Sequence, residues 1–253
     1  MYRHYIFMLC WLPFPVHAIV NVEQAIIGKT EPGLHGSVSL AANGASGNSE
    51  KNTLKADAQA LWQHDGHTEF AQFQYASGQS RGQTDTDRAF LHLRHRTALD
   101  QDWGTEVFAQ TGRDRFARLA QRNLLGGGLR WVLQEEVGRA AAYLGFGAFH
   151  EQESLNAKFG TTDALQTRLW RANSYLVLKQ QLNAQVRFNN TLYYQPALSD
   201  GSDYRVLEQA ALLVKLADKL DLKVSLEVAF DSRPPQTVQR RDVLYSTGLE
   251  YAF

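Results

Sequence analysis

Charged side chains recur at every second position in several stretches of this sequence, and that spacing is the pattern best able to do chemistry. In "AFLHLRHR" at 89–96 the set is His92, Arg94 and Arg96; in "LDLKVSLEVAF" at 220–230 it includes Lys223 and Glu227. Lys55, Asp57, Glu106, Gln110, Arg130, Arg187 and Glu250 fall at comparable places between apolar neighbours. In an extended chain a period of two puts such residues on one face of a sheet. Charges of both signs on an enclosed face can pair with one another and fill the interior. They can also form a charged constriction in a small pore. Both readings stay open, with Arg94, Arg96, Glu106, Arg130, Arg187, Lys223, Glu227 and Glu250 as the candidate lumen-lining charges.

Other groups of reactive side chains point to less. His64 and His67 flank Asp65-Gly66. Three potential metal ligands share one short turn, but such closely spaced residues rarely complete a tetrahedral site alone, and Asp-Gly is a hairpin-turn signal. No metal is expected there. "LLGGGLR" at 124–130 lacks the Lys-Ser/Thr ending and following helix of a phosphate loop; glycines in a strand more often make room for a neighbour. Arg113, Arg115, Arg118 and Arg122 crowd one connection. They could hold lipopolysaccharide phosphates, or form a solvated loop with Asp114 as partner. No Gly-x-Ser-x-Gly elbow occurs, nor the His-x-Ser-Asn-Gly stretch of barrel phospholipases. His95 falls on the apolar face, which fits a place near a membrane interface or a local bulge. No catalytic residue and no cofactor is expected.

The elements that would position these residues are strands. Over 220–230, Leu220, Leu222, Val224, Leu226, Val228 and Phe230 share one face, against Asp221, Lys223, Ser225, Glu227 and Ala229. A helix would scatter that apolar set around its circumference. Leu182–Tyr194 repeats the pattern with Asn190 as a break, and 243–253 repeats it again. The spacing predicts strands over 33–43, 51–62, 67–78, 86–98, 103–113, 119–133, 138–150, 166–179, 182–195, 203–217, 219–231 and 240–253. Many reach the roughly ten residues a tilted transmembrane strand needs. Short connections such as 64–67, 99–103, 134–138, 179–183 and 217–221 alternate with longer ones at 43–52, 77–87, 150–164 and 231–241. The expected fold is therefore all-β: an antiparallel transmembrane barrel of about twelve strands, with short periplasmic turns and longer extracellular loops. A secreted soluble β-barrel is the competitor, and it would turn the apolar face inward.

The ends of the chain agree with export. Arg3 and His4 precede the apolar "IFMLCWLPF" at 6–14, and Val16-His17-Ala18 supplies small residues for cleavage. Residues 1–18 are expected to be a signal peptide, 19–32 a short periplasmic lead-in, and 33–253 the barrel. Cys10 is the one cysteine and lies in the leader, so the exported chain would carry no disulfide. Lys+Arg and Asp+Glu are both 26, so no net field attracts nucleic acid. At the other end, "STGLEYAF" places Ser246, Gly248, Tyr251 and Phe253 in the order of the C-terminal signal by which barrel-assembly machinery recognises outer-membrane barrels. Trp62, Trp103, Trp131 and Trp170 sit near strand ends, as interface anchors do.

"EPGLHGSVSL" at 31–40, "DRAFLHLRHR" at 87–96 and "EVFAQTGRDRFARLAQRNLLGGGLRW" at 106–131 carry a family resemblance. They resemble a bacterial family of unknown function whose members include salt-induced outer-membrane proteins. The resemblance is clearest over 31–133 and looser to Phe253. It implies a barrel in the bacterial outer membrane, with outer-membrane lipids around it, and brings no reaction, substrate or catalytic residue. The expected role is non-enzymatic: a narrow channel for ions or small solutes, or else a structural or surface-interaction barrel with a closed lumen; an outer-membrane lipid-modifying enzyme is the last alternative.

Overall fold

The structure is a computed structural model that describes residues 32–46, 50–136 and 138–253. The leader assigned to 1–18 and the segment 19–31 lie outside the described residues. Twelve strands follow one another: β1 (Gly33–Ala45), β2 (Lys51–His64), β3 (His67–Ser80), β4 (Gln83–Ala98), β5 (Trp103–Asp114) and β6 (Leu119–Glu136). Then come β7 (Ala140–Leu155), β8 (Gln166–Gln181), β9 (Val186–Pro196), β10 (Tyr204–Ala217), β11 (Leu220–Asp231) and β12 (Arg241–Ala252). Each pairs antiparallel with its neighbours in sequence, and β1 pairs with β12 to close the barrel.

The period of two sorts the side chains as expected. On β11, Leu222, Val224 and Leu226 face out, while Asp221 and Ala229 are buried inside. Leu40, Leu54, Phe73, Leu93, Val107, Leu125, Leu192, Leu226 and Leu249 are all exposed on the outer wall. An apolar exterior this extensive needs a nonaqueous neighbour, and it inverts the arrangement of a soluble barrel. Closure leaves no free sheet edge, which is what a bilayer demands of a β-structure.

One end of the barrel carries the tight connections, 65–66, 99–102, 137–139, 182–185 and 218–219, together with both ends of the described barrel. Asp65 and Gly66 both have positive φ, 44° and 78°, as a two-residue hairpin turn of the primed kind requires. The opposite end carries 46–50, 115–118, 156–165, 197–203 and 232–240. The connection expected to be long over 77–87 is instead a two-residue turn, Arg81-Gly82, with φ of 49° and 73°. Residues 150–155, read as loop, also belong to β7. Here the strands run on past the apolar belt. Both of their faces become polar, so the alternation vanishes while the hydrogen-bonded ladder continues.

Candidate functional site: the lumen

One side of the lumen is filled by inward side chains, mainly of β5 to β10, that pack into two apolar clusters. Phe149, Val177 and Leu207 are completely buried, and Tyr175 is nearly so. Glycines make the space. A Cβ on Gly145 would lie 2.1 Å from the Tyr175 ring, and one on Gly126 would lie 2.5 Å from Cβ of Phe149. The glycine run at 126–128 thus serves packing, in the role the sequence suggested.

Two belts of charge cross this filled side. Nearer the turn end, Arg94 Nη1 and Arg96 Nε each donate to Glu106 Oε2 at 3.3 Å. The Tyr175 hydroxyl donates to the same oxygen at 2.9 Å and accepts from Arg130 Nη1 at 3.3 Å. The Arg130 guanidinium also lies 3.8 Å from the centre of the Tyr143 ring, a cation–π contact. Four of the predicted lumen charges, Arg94, Arg96, Glu106 and Arg130, therefore meet in one cluster.

The second belt lies toward the loop end, and sequence reasoning missed it. Glu151 on β7 is its hub. Arg122 Nε donates to it at 2.6 Å, Arg171 Nε at 3.2 Å and Arg205 Nη1 at 2.8 Å. Arg205 also binds Glu153 at 3.1 Å and Asp231 at 2.8 Å, and Arg171 approaches Asp203 at 3.0 Å. Three arginines face four carboxylates, so the belt is close to neutral. Arg122 points into the lumen from β6, whereas Arg113 lies near the end of β5 on the outer side and Arg115 lies in the connection 115–118. The alternation could have shown this, because Arg122, Leu124 and Arg130 share a parity.

The remaining predicted charges lie toward β11 and β12. Arg187 pairs with Asp221, and Lys223 Nζ donates to Glu250 Oε2 at 2.8 Å. Beside them is a polar cavity of about 110 Å3, lined by Lys55, Asp57, Arg88, Lys223 and Glu227 with Gln74, Gln209, Ser225 and Ser246. Asp57 accepts from Gln59, Gln72 and Gln74 at 3.1, 3.0 and 2.7 Å. Glu227 accepts from Gln209. Lys55, Asp57, Lys223 and Glu227 were all assigned to the lumen by alternation; Arg88 and Gln209 were not.

The C-terminal stretch forms the closing seam. Ser246 Oγ lies 2.7 Å from Ser225 Oγ inside the barrel, while Tyr251 and Phe253 face outward. The Phe253 backbone exchanges hydrogen bonds with Gly36, at 2.9 and 3.0 Å, and its ring covers that glycine. A Cβ at Gly248 would lie 2.8 Å from the Leu40 carbonyl. The terminal aromatic and this glycine therefore have a structural use at the β1–β12 seam.

Outside the lumen, Arg113 pairs with Asp87 at 3.0 Å. Arg118 is buried and ties loops together: it donates to Asp163 at 2.6 Å, to the Gln236 carbonyl at 2.8 Å and to Thr161 at 3.1 Å. Backbone N–H of Gln236 also donates to Asp163, at 2.9 Å, and holds its carboxyl below the usual carboxylate range, helped by Arg118. Arg113, Arg115 and Lys158 line an open hollow of about 500 Å3 beside them. His95 faces outward with its strand register unbroken from Arg88 to Ala98, so no bulge accounts for it. Its ring nitrogens contact Glu69 and Thr97. Among the described residues no cluster of three His, Cys, Asp or Glu could hold a metal ion.

The same architecture occurs in the translocator domain of autotransporter NalP from Neisseria meningitidis, with a TM-score of 0.50 and 12% identity over 92% of this chain and 91% of that one. The NanC porin is similar with a TM-score of 0.49 and 10% identity over 86% and 97% of the two chains. The KdgM porin in complex with disordered oligogalacturonate gives 0.43 and 11% over 87% and 99%. At these identities the likeness concerns the fold. No curated protein matches the sequence. A family described as protein of unknown function, DUF481, matches residues 38–253, from within β1 to the terminal Phe253. The chain belongs to the DUF481 family.

Proposed function

We propose that the protein is an integral, non-enzymatic barrel of a bacterial outer membrane that passes ions or small solutes through one side of its lumen. The observation that carries this reading is the polar cavity of about 110 Å3 beside the filled side. It has room for on the order of five water molecules and is lined by charges of both signs. The apolar outer wall supports the membrane placement. The short-turn end would face the periplasm, as it does in outer-membrane barrels generally. The two charge belts favour a second reading, a barrel shut at rest that serves the envelope structurally.

On this reading Ser246, Gly248, Tyr251 and Phe253 present the seam strand to the assembly machinery. Lipopolysaccharide phosphates would meet Arg113, Arg115 and Lys158, because Arg118 is committed to the loops. The test is to refold residues 19–253 into a planar bilayer and record current in symmetric salt. Small, discrete steps are expected. Silence from protein shown to have inserted as a folded barrel would leave the shut barrel as the account.

A further inference from the structure

The outer wall carries a feature that conduction does not need. Near the turn end Ala60 on β2, Ala71 on β3 and Ala109 on β5 floor a concavity of about 470 Å3, walled by Trp62, Leu93 and Val107. This volume is within the roughly 300–1,000 Å3 range of small-molecule sites, and its lining is almost wholly apolar. At the turn-end side of the groove, Glu69 and His95 join the wall; Arg94 also borders it, but its guanidinium is buried in the lumen on Glu106.

These two residues belong to a polar cluster on an otherwise apolar face. Glu69 Oε1 lies 2.8 Å from His95 Nδ1, and His95 Nε2 lies 3.0 Å from Thr97 Oγ1. Thr97 Oγ1 is also 3.1 Å from His67 Nδ1, and His64 Nε2 is 3.9 Å from Glu69. The side chains of Glu69 and His95 remain 41% and 42% exposed, so a ligand can reach them. A carboxylate and three imidazoles are costly on a hydrocarbon-facing wall. They suit the level where the groove meets lipid headgroups, and Trp62 and the stacked Trp103–Trp131 pair stand at the same end of the wall.

An apolar groove that ends in hydrogen-bonding groups matches a molecule with a long chain and a polar head. The charge of the head follows from the surroundings. The turns beside the cluster, 65–66 and 99–102, add Asp65, Asp100 and Asp102 and no lysine or arginine. An anionic head would meet net negative charge, whereas an ammonium would find the Glu69 carboxylate and a phosphate would find imidazole N–H donors.

We propose that this groove is a binding site for one zwitterionic aminophospholipid of the periplasmic leaflet. One acyl chain lies along Ala60, Ala71 and Ala109, and the ethanolamine ammonium meets Glu69. The site rests on the reading of the barrel as membrane-embedded. The test is native mass spectrometry of the full exported chain, released from bilayer discs of mixed phosphatidylethanolamine, phosphatidylcholine and phosphatidylglycerol. Failure to insert into the discs would count against the membrane reading, and insertion without bound lipid against the site.

One retained phosphatidylethanolamine per barrel is the expected result. Ala71→Phe fills the groove from an outward position and should abolish retention while insertion stays normal. Glu69→Gln keeps the shape and should lower the preference for ethanolamine over choline roughly tenfold, the factor that one charge-assisted hydrogen bond represents. Equal retention of the three lipids by the wild type, or undiminished retention by Ala71→Phe, would overturn the proposal.

Discussion

Glu151 offers the sharpest test of the packed side of the lumen. It is 1% exposed and receives Arg122, Arg171 and Arg205, which come from three other strands. Glu151→Gln keeps the volume and one acceptor but removes the charge that holds the three guanidinium groups together. Glu153 remains near Arg205 at 3.1 Å and near Arg122 at 3.8 Å, and Asp231 and Asp203 still face Arg205 and Arg171. The belt's charge therefore changes from three against four to three against three, but Arg122 loses its closest carboxylate. Removing one partner of a buried ion pair costs about 3–5 kcal/mol. That corresponds to roughly two to three and a half decades in the unfolding equilibrium. Reversible urea unfolding in lipid vesicles, followed by tryptophan fluorescence, would read it. Replacing Glu151 and Arg122 together by Leu and Met should recover much of the loss, because apolar residues of similar size remove the stranded charge along with its partner. A cost below about 1 kcal/mol for the single change would refute the belt as a stability element. So would a double change worse than the sum of its parts.

Three more outcomes follow from the geometry. Leu226→Arg, on the outer wall in mid-strand, should cost roughly 2–4 kcal/mol, and Ser225→Arg, one residue away in the polar lumen, clearly less; equal costs in the same unfolding assay would mean the faces are reversed. Deleting Phe253 should slow assembly into the outer membrane and loosen the β1–β12 seam at Gly36, as read by the fraction resistant to protease in cells; an unchanged fraction would remove its role. The Asp163 carboxyl is held below the usual value of about 4 by its hydrogen bonds to Gln236 and Arg118, so its contribution to loop order is complete above that pH and is lost as pH falls through the lower folded value. Protection of the Gln236 amide against hydrogen exchange, corrected for intrinsic rates, should hold from pH 7 to 5 and fall at more acid pH; a loss already at pH 6 would contradict this.

Most of the wall was legible in the sequence because a bilayer imposes a simple rule. Outside must be apolar, so every second residue of β11, from Leu220 to Phe230, reports its own direction. Arg94, Arg96 and Glu106 could be placed in the lumen for the same reason, and Lys223 and Glu250 with them. The rule fails where the lipid ends. Glu151 and Glu153 lie in a run, "HEQES", that is polar on both faces, so it resembled a loop although β7 continues through it. The Arg81-Gly82 turn was hidden in the same way. Breaks in the alternation were informative in retrospect. Asn190 faces outward and donates to Glu208, also on the outer wall, so these two polar intrusions satisfy each other across strands. His95, odd on an apolar face, has Glu69 opposite it on β3. Such pairs join residues distant in sequence, and only the strand register reveals them. Which side of the lumen is filled depends on where Tyr175, Phe149 and the glycines meet, and no local pattern encodes that.

The central claim is that water and ions reach the cavity between β1–β4 and β10–β12. The most direct test is block of single-channel current by a small charged thiol reagent in a chain from residue 19 that carries one cysteine, at Ser225 or at Val224. Ser225 lines the cavity, whereas Val224 is exposed on the outer wall and does not border it. Stepwise, irreversible block with Ser225→Cys and none with Val224→Cys is the predicted result. Current that flows in both variants and is blocked in neither would contradict a conducting path along this side of the lumen.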